Sequence, residues 1–313
     1  MLDADRLRDR LAALARTRRA PVPVQPAFTS GPDTDAEGTR GHPWGGRANR
    51  GPGVEEFLPG GEWRCAHGTV YIHERLRSEV ERPESGWGLL GTPPEEELDL
   101  SALAASGLAR ALFLDLETGG LASSPVFLAG TMHWNGTDFV LRQYFARHYG
   151  EEAALLSALH EAARGFDYLV TFNGKSYDAP FLLGRAVVHA VTVQLPGRHV
   201  DLLHASRRRW KQLLPNCRLQ TLEQYVCRRR RSGDVPGEEI PGLYHDFVRR
   251  GDPYRLIPVF HHNMLDVITM VEILRALCSE RPRAQAGEHD QELDFSRDSG
   301  PKGPQSANVV RSD

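Results

Sequence analysis

The sequence predicts an α/β fold: a mixed β-sheet with an antiparallel three-strand start, parallel strands after it, and helices on its faces. Three apolar runs of strand length come first, at residues 111–116, 126–134 and 139–145. Asn135-Gly136 separates the second run from the third and is a strong signal for a hairpin turn. Helical and strand patterns then alternate, which is typical of parallel strands joined by helices. No Gly-x-Gly-x-x-Gly motif follows the first run, so a dinucleotide-binding fold is excluded.

Other elements follow from hydrophobic spacing and turn residues. Leucines recur at helical spacing within residues 3–18, which predicts a helix there. Residues 54–75 are interpreted as a short β-unit, in which Gly60-Gly61 makes the turn and 69–72 the second strand. Further helices are predicted at 151–163, 179–188, 203–214, 219–226 and 253–277 (the last with a junction at Pro258), strands at 168–172 and 199–203, and a Gly/Pro-rich loop at 232–242.

Composition divides the 313-residue chain into four segments. Residues 1–53 are predicted to be a flexible N-terminal segment and 280–313 a disordered tail. Both are polar and rich in Gly and Pro, so they cannot bury a core. Residues 54–100 hold the small β-unit and a linker, and 101–279 form the main folded domain.

Charge and cysteine content limit the classes of function. The net charge of −3 means that the molecule as a whole is not a polycation. The four cysteines have neither CxxC pairing nor zinc-ligand spacing, so we expect reduced thiols. No apolar run reaches membrane-spanning length, and the N-terminus lacks the apolar block of a signal peptide. We therefore expect a cytoplasmic protein with no membrane contact.

Two carboxylates, Asp115 and Glu117, stand at the end of the first apolar strand. Side chains alternate along a strand, so both acids point to the same face. A buried strand has little reason to carry two acids on one face unless a cation lies between them, and hard cations such as Mg²⁺ prefer oxygen ligands. Gly119-Gly120 then allows a sharp turn. The alternative is a surface strand with two solvated acids.

Two later segments also carry acids. Asp178 begins a predicted helix after the fourth strand, where it either caps the helix or faces the first strand. Asp266 lies in a heavily apolar helix, where an unpaired acid is costly. His261 and His262 precede Asp266 by about one helical turn, so their side chains can face the same site. The alternative is a helix surface on which the acid and both histidines are solvated.

In their order along the chain, these acids resemble the motifs of the DEDD superfamily of 3′–5′ exonucleases, which have the ribonuclease-H-like fold. The wider pattern is most similar to the YprB-like branch of that superfamily, in the segments 199–203, 217–223 and 262–267. Asp115-Leu116-Glu117-Thr118 resembles the first motif, Phe172-Asn173 with Tyr177-Asp178 the second, and His262 or His261 with Asp266 the third.

The chain departs from the superfamily pattern in two places. Gly119-Gly120 follows Thr118, where the superfamily has Thr-Gly and then a varied residue; the change affects backbone freedom and no ligand. The histidine of the third motif is the second departure, because one subgroup matches His261 and another places a Tyr where His262 stands. Asn263 directly follows His262 as in the YprB-like pattern, which favours His262.

The resemblance implies metal-dependent hydrolysis of phosphodiester bonds with two divalent cations, Mg²⁺ or Mn²⁺, held by the four acids. In our hypothesis Asp115 bridges both ions. Glu117 and Asp266 hold the ion that binds the attacking water, and Asp178 holds the second ion directly or through water. His262, or alternatively His261, takes the proton of that water as general base. The products would be nucleoside monophosphates.

Basic residues indicate a nucleic-acid partner, single-stranded or with a 3′ end. Arginine binds phosphate through a bidentate fork, and four arginines precede the flexible loop at 232–242. A solvated helix face is the alternative reading of the basic run at 207–211. The candidate nucleic-acid contacts are Asn173, Lys175, Arg228, Arg229, Arg230 and Arg231.

Three functions stay open at this point. A 3′–5′ exonuclease leads, followed by a structure-specific endonuclease on the same fold, because a fold does not by itself fix a function. The third is a nucleic-acid-binding module with an inactive site, against which the intact set of four acids argues. Discrimination between DNA and RNA rests on contacts to the 2′-hydroxyl, which motifs do not reveal. Protein partners are unknown from the sequence.

Overall fold

A seven-stranded β-sheet organises the computed structural model, which describes residues 53–82, 86–121 and 123–279. The strands are β1 Gly60–Cys65, β2 Gly68–Leu76, β3 Ala111–Thr118, β4 Val126–Trp134, β5 Phe139–Phe145, β6 Tyr168–Thr171 and β7 Arg198–Asp201. They lie in the order β1-β2-β5-β4-β3-β6-β7. Pairing is antiparallel from β1 through to β3, and parallel between β3 and β6 and between β6 and β7. The predicted mixed sheet is confirmed.

The N-terminal hairpin continues this sheet. β2 pairs with β5, so the boundary predicted near residue 100 does not separate two sheets. The turn predicted at Gly60-Gly61 is wrong: both glycines lie in β1, opposite His73 and Ile72, and the chain turns between β1 and β2. A Cβ on Gly60 would lie 2.2 Å from the carbonyl oxygen of Ile72, so the glycine permits close pairing of the two strands.

Seven α-helices accompany the sheet in the described residues: α1 Leu98–Ser106, α2 Glu152–Ala163, α3 Asp178–Val188, α4 Leu202–Trp210, α5 Leu219–Tyr225, α6 Ile240–Arg250 and α7 Ile257–Leu277. Pro258 lies in the first turn of α7, directly after a short 3-10 helix, which confirms the predicted junction. Helix α1 was not expected. The loop predicted at 232–242 runs into α6, where Ile240 and Tyr244 are buried one turn apart.

The core has two sides, because β3 is buried on both faces. Phe113 packs in the same buried cluster as Val267 of α7. Leu114 packs in a second cluster with Leu155 of α2. Neighbouring strand residues point to opposite faces, so the face of Phe113 is also that of Asp115. The two acids of β3 therefore point towards α7.

Some predictions fall outside the described residues. They include the helix at 3–18 and nearly all of the segments 1–53 and 280–313. None of the helices within the described ranges is long and apolar enough to span a membrane.

Candidate active site

Asp115 is held by a hydrogen-bond network from α7. The Nδ2 atom of Asn263 donates to Asp115 Oδ2 at 2.8 Å and lies 3.3 Å from the Asp115 carbonyl oxygen. Gln143 Nε2 donates to Asn263 Oδ1 at 3.1 Å, which fixes the amide. Asn263 is fully buried, and a Cβ on Gly130 would lie 2.2 Å from its Oδ1 atom. Gly130 pairs with Asp115 across β3 and β4, so the glycine makes room for the side chain that orients the acid.

Sequence reasoning missed this support for Asp115. It used Asn263 only to align a motif, and it singled out neither Gln143 nor Gly130. The available signal was an amide side chain within a heavily apolar helix, because a buried polar group needs a hydrogen-bonding partner.

Asp178 faces the first strand, as the functional interpretation requires. Its Oδ1 atom accepts a hydrogen bond from the backbone N–H of Leu116 at 3.2 Å. Asp178 is the first residue of α3, and the N-cap position belongs to Tyr177, whose side chain makes no capping hydrogen bond. The N-cap alternative for Asp178 therefore does not hold.

The loop before Asp178 is shaped by Asp201. The backbone N–H groups of Asn173 and Lys175 donate to the Asp201 carboxylate, at 2.8 and 3.1 Å. Asn173 has a φ of 65°, a left-handed conformation that asparagine tolerates well. The Lys175 side chain is exposed, so it is available to a substrate beside Asp178.

Asp266 is surrounded by groups from α7 and from the segment between α5 and α6. Arg231 Nη2 donates to Asp266 Oδ1, Arg231 Nε donates to Glu223, and Arg231 Nη1 lies 3.2 Å from Asp234 Oδ2. His262 Nε2 lies 3.4 Å from Asp266 Oδ2, and His262 Nδ1 lies 2.8 Å from Asp234 Oδ1. Sequence reasoning missed both further acids of this group: Glu223 was noted only as part of the segment 217–223, and Asp234 belongs to no motif.

Of the two candidate histidines, His262 contacts the acids. It is buried against Asp266 and Asp234. His261 is half-buried and lies about 100° further round the helix, since α-helices have 3.6 residues per turn. The contacts favour His262 as the base.

The pKa of each of the four predicted acids is raised, and in three of them the charge of another acid of the set contributes. Burial and the charges of Asp266, Glu117 and Asp178 raise the pKa of Asp115 well above its usual value. Burial, opposed by His262 and reinforced by Asp266, raises the pKa of Glu117 to about 8. Burial is also the main cause that raises the pKa of Asp178 to about 6, and it raises that of Asp266. The site therefore has a surplus of acidic groups, whose ionised forms are destabilised.

His262 responds to this surplus. Burial alone would lower its pKa, but the hydrogen bond to Asp234 and the charges of Asp266 and Glu117 outweigh that effect and raise the pKa to about 9. While these acids are ionised, they favour the imidazolium form of His262, in which both ring nitrogens are protonated.

The donor set suits a divalent cation, although the side chains do not stand in a ready-made coordination geometry. Within the described ranges, no three His, Cys, Asp or Glu side chains form a group that could hold a metal ion. Asn263, the Leu116 N–H and Arg231 each engage an oxygen of a different acid. Clustered, partly protonated carboxylates are nevertheless the hard oxygen donors that Mg²⁺ and Mn²⁺ prefer.

The four candidate arginines alternate between two environments, which corrects the prediction of one phosphate-binding run. Arg229 pairs with Glu81 at 2.5 Å and with Glu272 at 2.7 Å, and Arg231 is held inside the acid cluster. Arg228 and Arg230 are exposed. Two of the four arginines therefore stay available at the surface.

Comparison with known proteins agrees with the geometry. The family model RNase_H_2, of the RNase_H superfamily, matches residues 112–278. The uncharacterized protein YprB of Bacillus subtilis (strain 168) is 31% identical over 231 residues, which cover 68% of this chain and 56% of YprB. The chain thus spans little more than half the length of this relative.

A solved structure is also similar in part. The family B DNA polymerase from the hyperthermophilic archaeon Pyrobaculum calidifontis matches 52% of this chain and 24% of its own chain, with a TM-score of 0.43 and 18% identity. The family assignment rests on the sequence matches and not on this weaker similarity. The chain belongs to the ribonuclease H superfamily, as a YprB-like member with a ribonuclease-H-like fold of nuclease type.

Proposed function

We propose that this protein is a metal-dependent nuclease that hydrolyses phosphodiester bonds of DNA or RNA, acting as a 3′–5′ exonuclease. One observation carries the proposal: Asp115, Glu117, Asp178 and Asp266 come from three separate elements, and burial together with the charges of neighbouring acids raises the pKa of each. Clustered like charges are costly, so a protein keeps them where a cation and a polyanion are to be brought together.

Ribonuclease-H-like domains generally use divalent metal ions, and the four carboxylates are the residues that would hold Mg²⁺ or Mn²⁺ here. Two such ions, when bound, supply an activated water and neutralise charge on the phosphodiester oxygens. Asn263 orients Asp115 for this role, and the N–H of Leu116 orients Asp178.

His262 is the residue that we assign to proton transfer. Its high pKa reflects the negative charges around it. Once those carboxylates are neutralised, the proton on His262 loses its stabilisation and the imidazole can act as general base. The exposed side chains of Lys175, Arg228 and Arg230 would bind the phosphates of a single strand or a 3′ end.

The direct test uses 5′-labelled single-stranded DNA and RNA oligonucleotides with Mn²⁺, Mg²⁺ or EDTA. We expect a metal-dependent ladder that shortens from the 3′ end, and no cleavage by Asp115→Asn. Asp167→Asn is the matched control, because that exposed acid pairs with Arg110 at the protein surface. An Asp115→Asn protein that cuts at the wild-type rate would contradict the proposal.

Circular single strands distinguish an exonuclease from an endonuclease, which is the second candidate function. An exonuclease leaves them intact because they have no 3′ end. Cleavage of circles, or of structured junctions alone, would instead assign the site to an endonuclease on the same fold. No cleavage of any substrate, together with metal-independent binding, would indicate a nucleic-acid-binding module.

A further inference from the structure

The segment between α5 and α6 places a fifth carboxylate, Asp234, beside His262. Gly233 precedes it with a φ of 73°, a left-handed conformation that turns the chain towards α7. Asp234 belongs to none of the three acid motifs. Its Oδ1 atom lies 2.8 Å from His262 Nδ1.

The Asp234 carboxylate is a hydrogen-bond acceptor for two further side chains. Arg231 Nη1 and Gln220 Nε2 both donate to its Oδ2 atom, at 3.2 Å. A carboxylate that faces an arginine is ionised and has no proton to give. The proton between Asp234 and His262 is therefore carried by Nδ1.

This contact decides which ring nitrogen is basic. A neutral imidazole has one donor and one acceptor nitrogen. With the proton fixed on Nδ1, the acceptor is Nε2, which is the nitrogen on the side of the acids, 3.4 Å from Asp266 Oδ2. In the opposite tautomer the basic nitrogen would face Asp234 and could not reach a water held by the acids.

We infer that Asp234 is a positioning residue of the proposed hydrolysis: it holds His262 with Nδ1 protonated and with Nε2 directed at the four acids. The inference rests on the proposed function. Asp234 acts through His262 and does not touch the reacting atoms. Arg231 assists, because one guanidinium contacts both Asp234 and Asp266 and so fixes the distance between the two acids that flank the ring.

The test compares five full-length variants with the wild type on one single-stranded oligonucleotide: Asp234→Ala, Asp234→Asn, His262→Ala, Asp234→Ala combined with His262→Ala, and Glu238→Ala. The last is the control, because Glu238 is an exposed acid in the same segment. We expect Asp234→Ala to lower kcat by about 10- to 100-fold, a part of the roughly 100- to 10,000-fold that a positioned general base contributes. KM should stay within about twofold of the wild-type value, since substrate contacts are intact.

Two further results should follow from a role through His262. Asp234→Asn should lie between wild type and Asp234→Ala, because the amide oxygen still accepts from Nδ1 but carries no charge. The double variant should be no slower than His262→Ala alone, because coupled residues are not additive. A double variant much slower than His262→Ala would overturn the inference.

A spectroscopic readout is independent of activity. In proton NMR of the metal-free protein, the Nδ1 proton of His262 should appear as a slowly exchanging, downfield resonance in wild type and Glu238→Ala. It should be lost in Asp234→Ala and His262→Ala. Its persistence in Asp234→Ala would overturn the assigned contact.

The outcomes separate this inference from the proposed function. An active wild type with wild-type kcat in Asp234→Ala overturns the inference alone. A wild type inactive on every substrate overturns the proposed function and the inference with it. Should Asp234→Ala not fold, Asp234→Asn decides, because an unchanged kcat in that variant overturns the inference.

Discussion

Two clusters of charged side chains lie along α7, and they differ in charge balance. In the first, which we call the balanced cluster, Arg77 contacts Glu81 at 2.9 Å and Glu272 at 2.5 Å, and Arg229 contacts the same two glutamates. The second, which we call the acidic cluster, forms ion pairs with two cationic groups, Arg231 and His262. Its acids are Asp115, Glu117, Asp178, Glu223, Asp234 and Asp266.

The difference separates a structural site from the site to which we assign the proposed function. Each charge of the balanced cluster meets an opposite charge within the protein, so the cluster needs nothing from outside. The acidic cluster keeps a surplus of acids, and burial together with the charges of neighbouring acids raises the pKa of several of them. Such a surplus destabilises the fold unless a cation binds. Perturbed pKa values of this kind are common at functional sites. Four experiments test whether the two clusters differ in this way.

The largest loss of stability should come from the balanced cluster. Glu272→Ala leaves the buried guanidinium of Arg77 with one partner fewer, and removing one member of a buried pair costs about 3–5 kcal/mol. Urea unfolding in EDTA measures the change. Asp167→Ala is the control, because its pair with Arg110 is half-exposed and should matter little. A loss below about 1 kcal/mol for Glu272→Ala would show that the balanced cluster does not hold the fold together.

Divalent cations should stabilise the acidic cluster alone. At a free Mn²⁺ concentration of about 100 times Kd, the wild type should gain about 2.7 kcal/mol of unfolding free energy. Asp115→Asn should lose most of that gain, since it removes a proposed ligand and one negative charge. Glu272→Ala should start from lower stability and gain as much as the wild type. Equal gains in wild type and Asp115→Asn would argue against a metal site at these acids.

Removal of a buried carboxylate that also faces Asp266 should make Glu117→Gln more stable than the wild type without metal. The pKa of Glu117 is raised to about 8 in the folded protein, so its contribution is fully favourable below the unfolded value and is lost as pH rises towards 8. We expect the variant to be more stable by about 1–3 kcal/mol at pH 8 and by only a few tenths at pH 5. Urea unfolding in EDTA at both pH values measures the difference. A gain that is the same at pH 5 and pH 8 would contradict the raised pKa.

The smallest change in stability is expected when the two exposed arginines, Arg228 and Arg230, are replaced. In an Asp115→Asn background, Arg228→Ala with Arg230→Ala should weaken oligonucleotide binding and flatten the plot of log K against log salt by about 0.7 for each phosphate that the variant no longer neutralises. Fluorescence anisotropy across a salt series measures the slope. Arg164→Ala is the control, because that exposed arginine pairs with Glu161 outside every candidate nucleic-acid contact. An unchanged slope in the double variant would remove these arginines from the proposed substrate path.

The strands and most helices were predictable, because their signals are local. An apolar run such as 126–134 or the Asn135-Gly136 turn needs no knowledge of distant residues. The hairpin turn predicted at Gly60-Gly61 was wrong, because glycine is equally compatible with a turn and with close pairing of two strands. Helix α6 was missed because Pro241 and Gly242 interrupt its pattern, while its stability comes from burial of Ile240 and Tyr244.

Local patterns in the sequence were enough to predict that Asp115 and Glu117 share one face of a strand and that Asp266 lies near the histidines of its helix. How those acids are held depends on contacts between distant segments. Asn263 meets Asp115 across 148 residues, and Arg231 meets Asp266 across 35. Whether an arginine faces water or a buried carboxylate depends on which elements pack beside it, and no local pattern carries that information. Arg229 and Arg231 therefore turned inward to neutralise acids on α7, whereas Arg228 and Arg230 stayed at the surface.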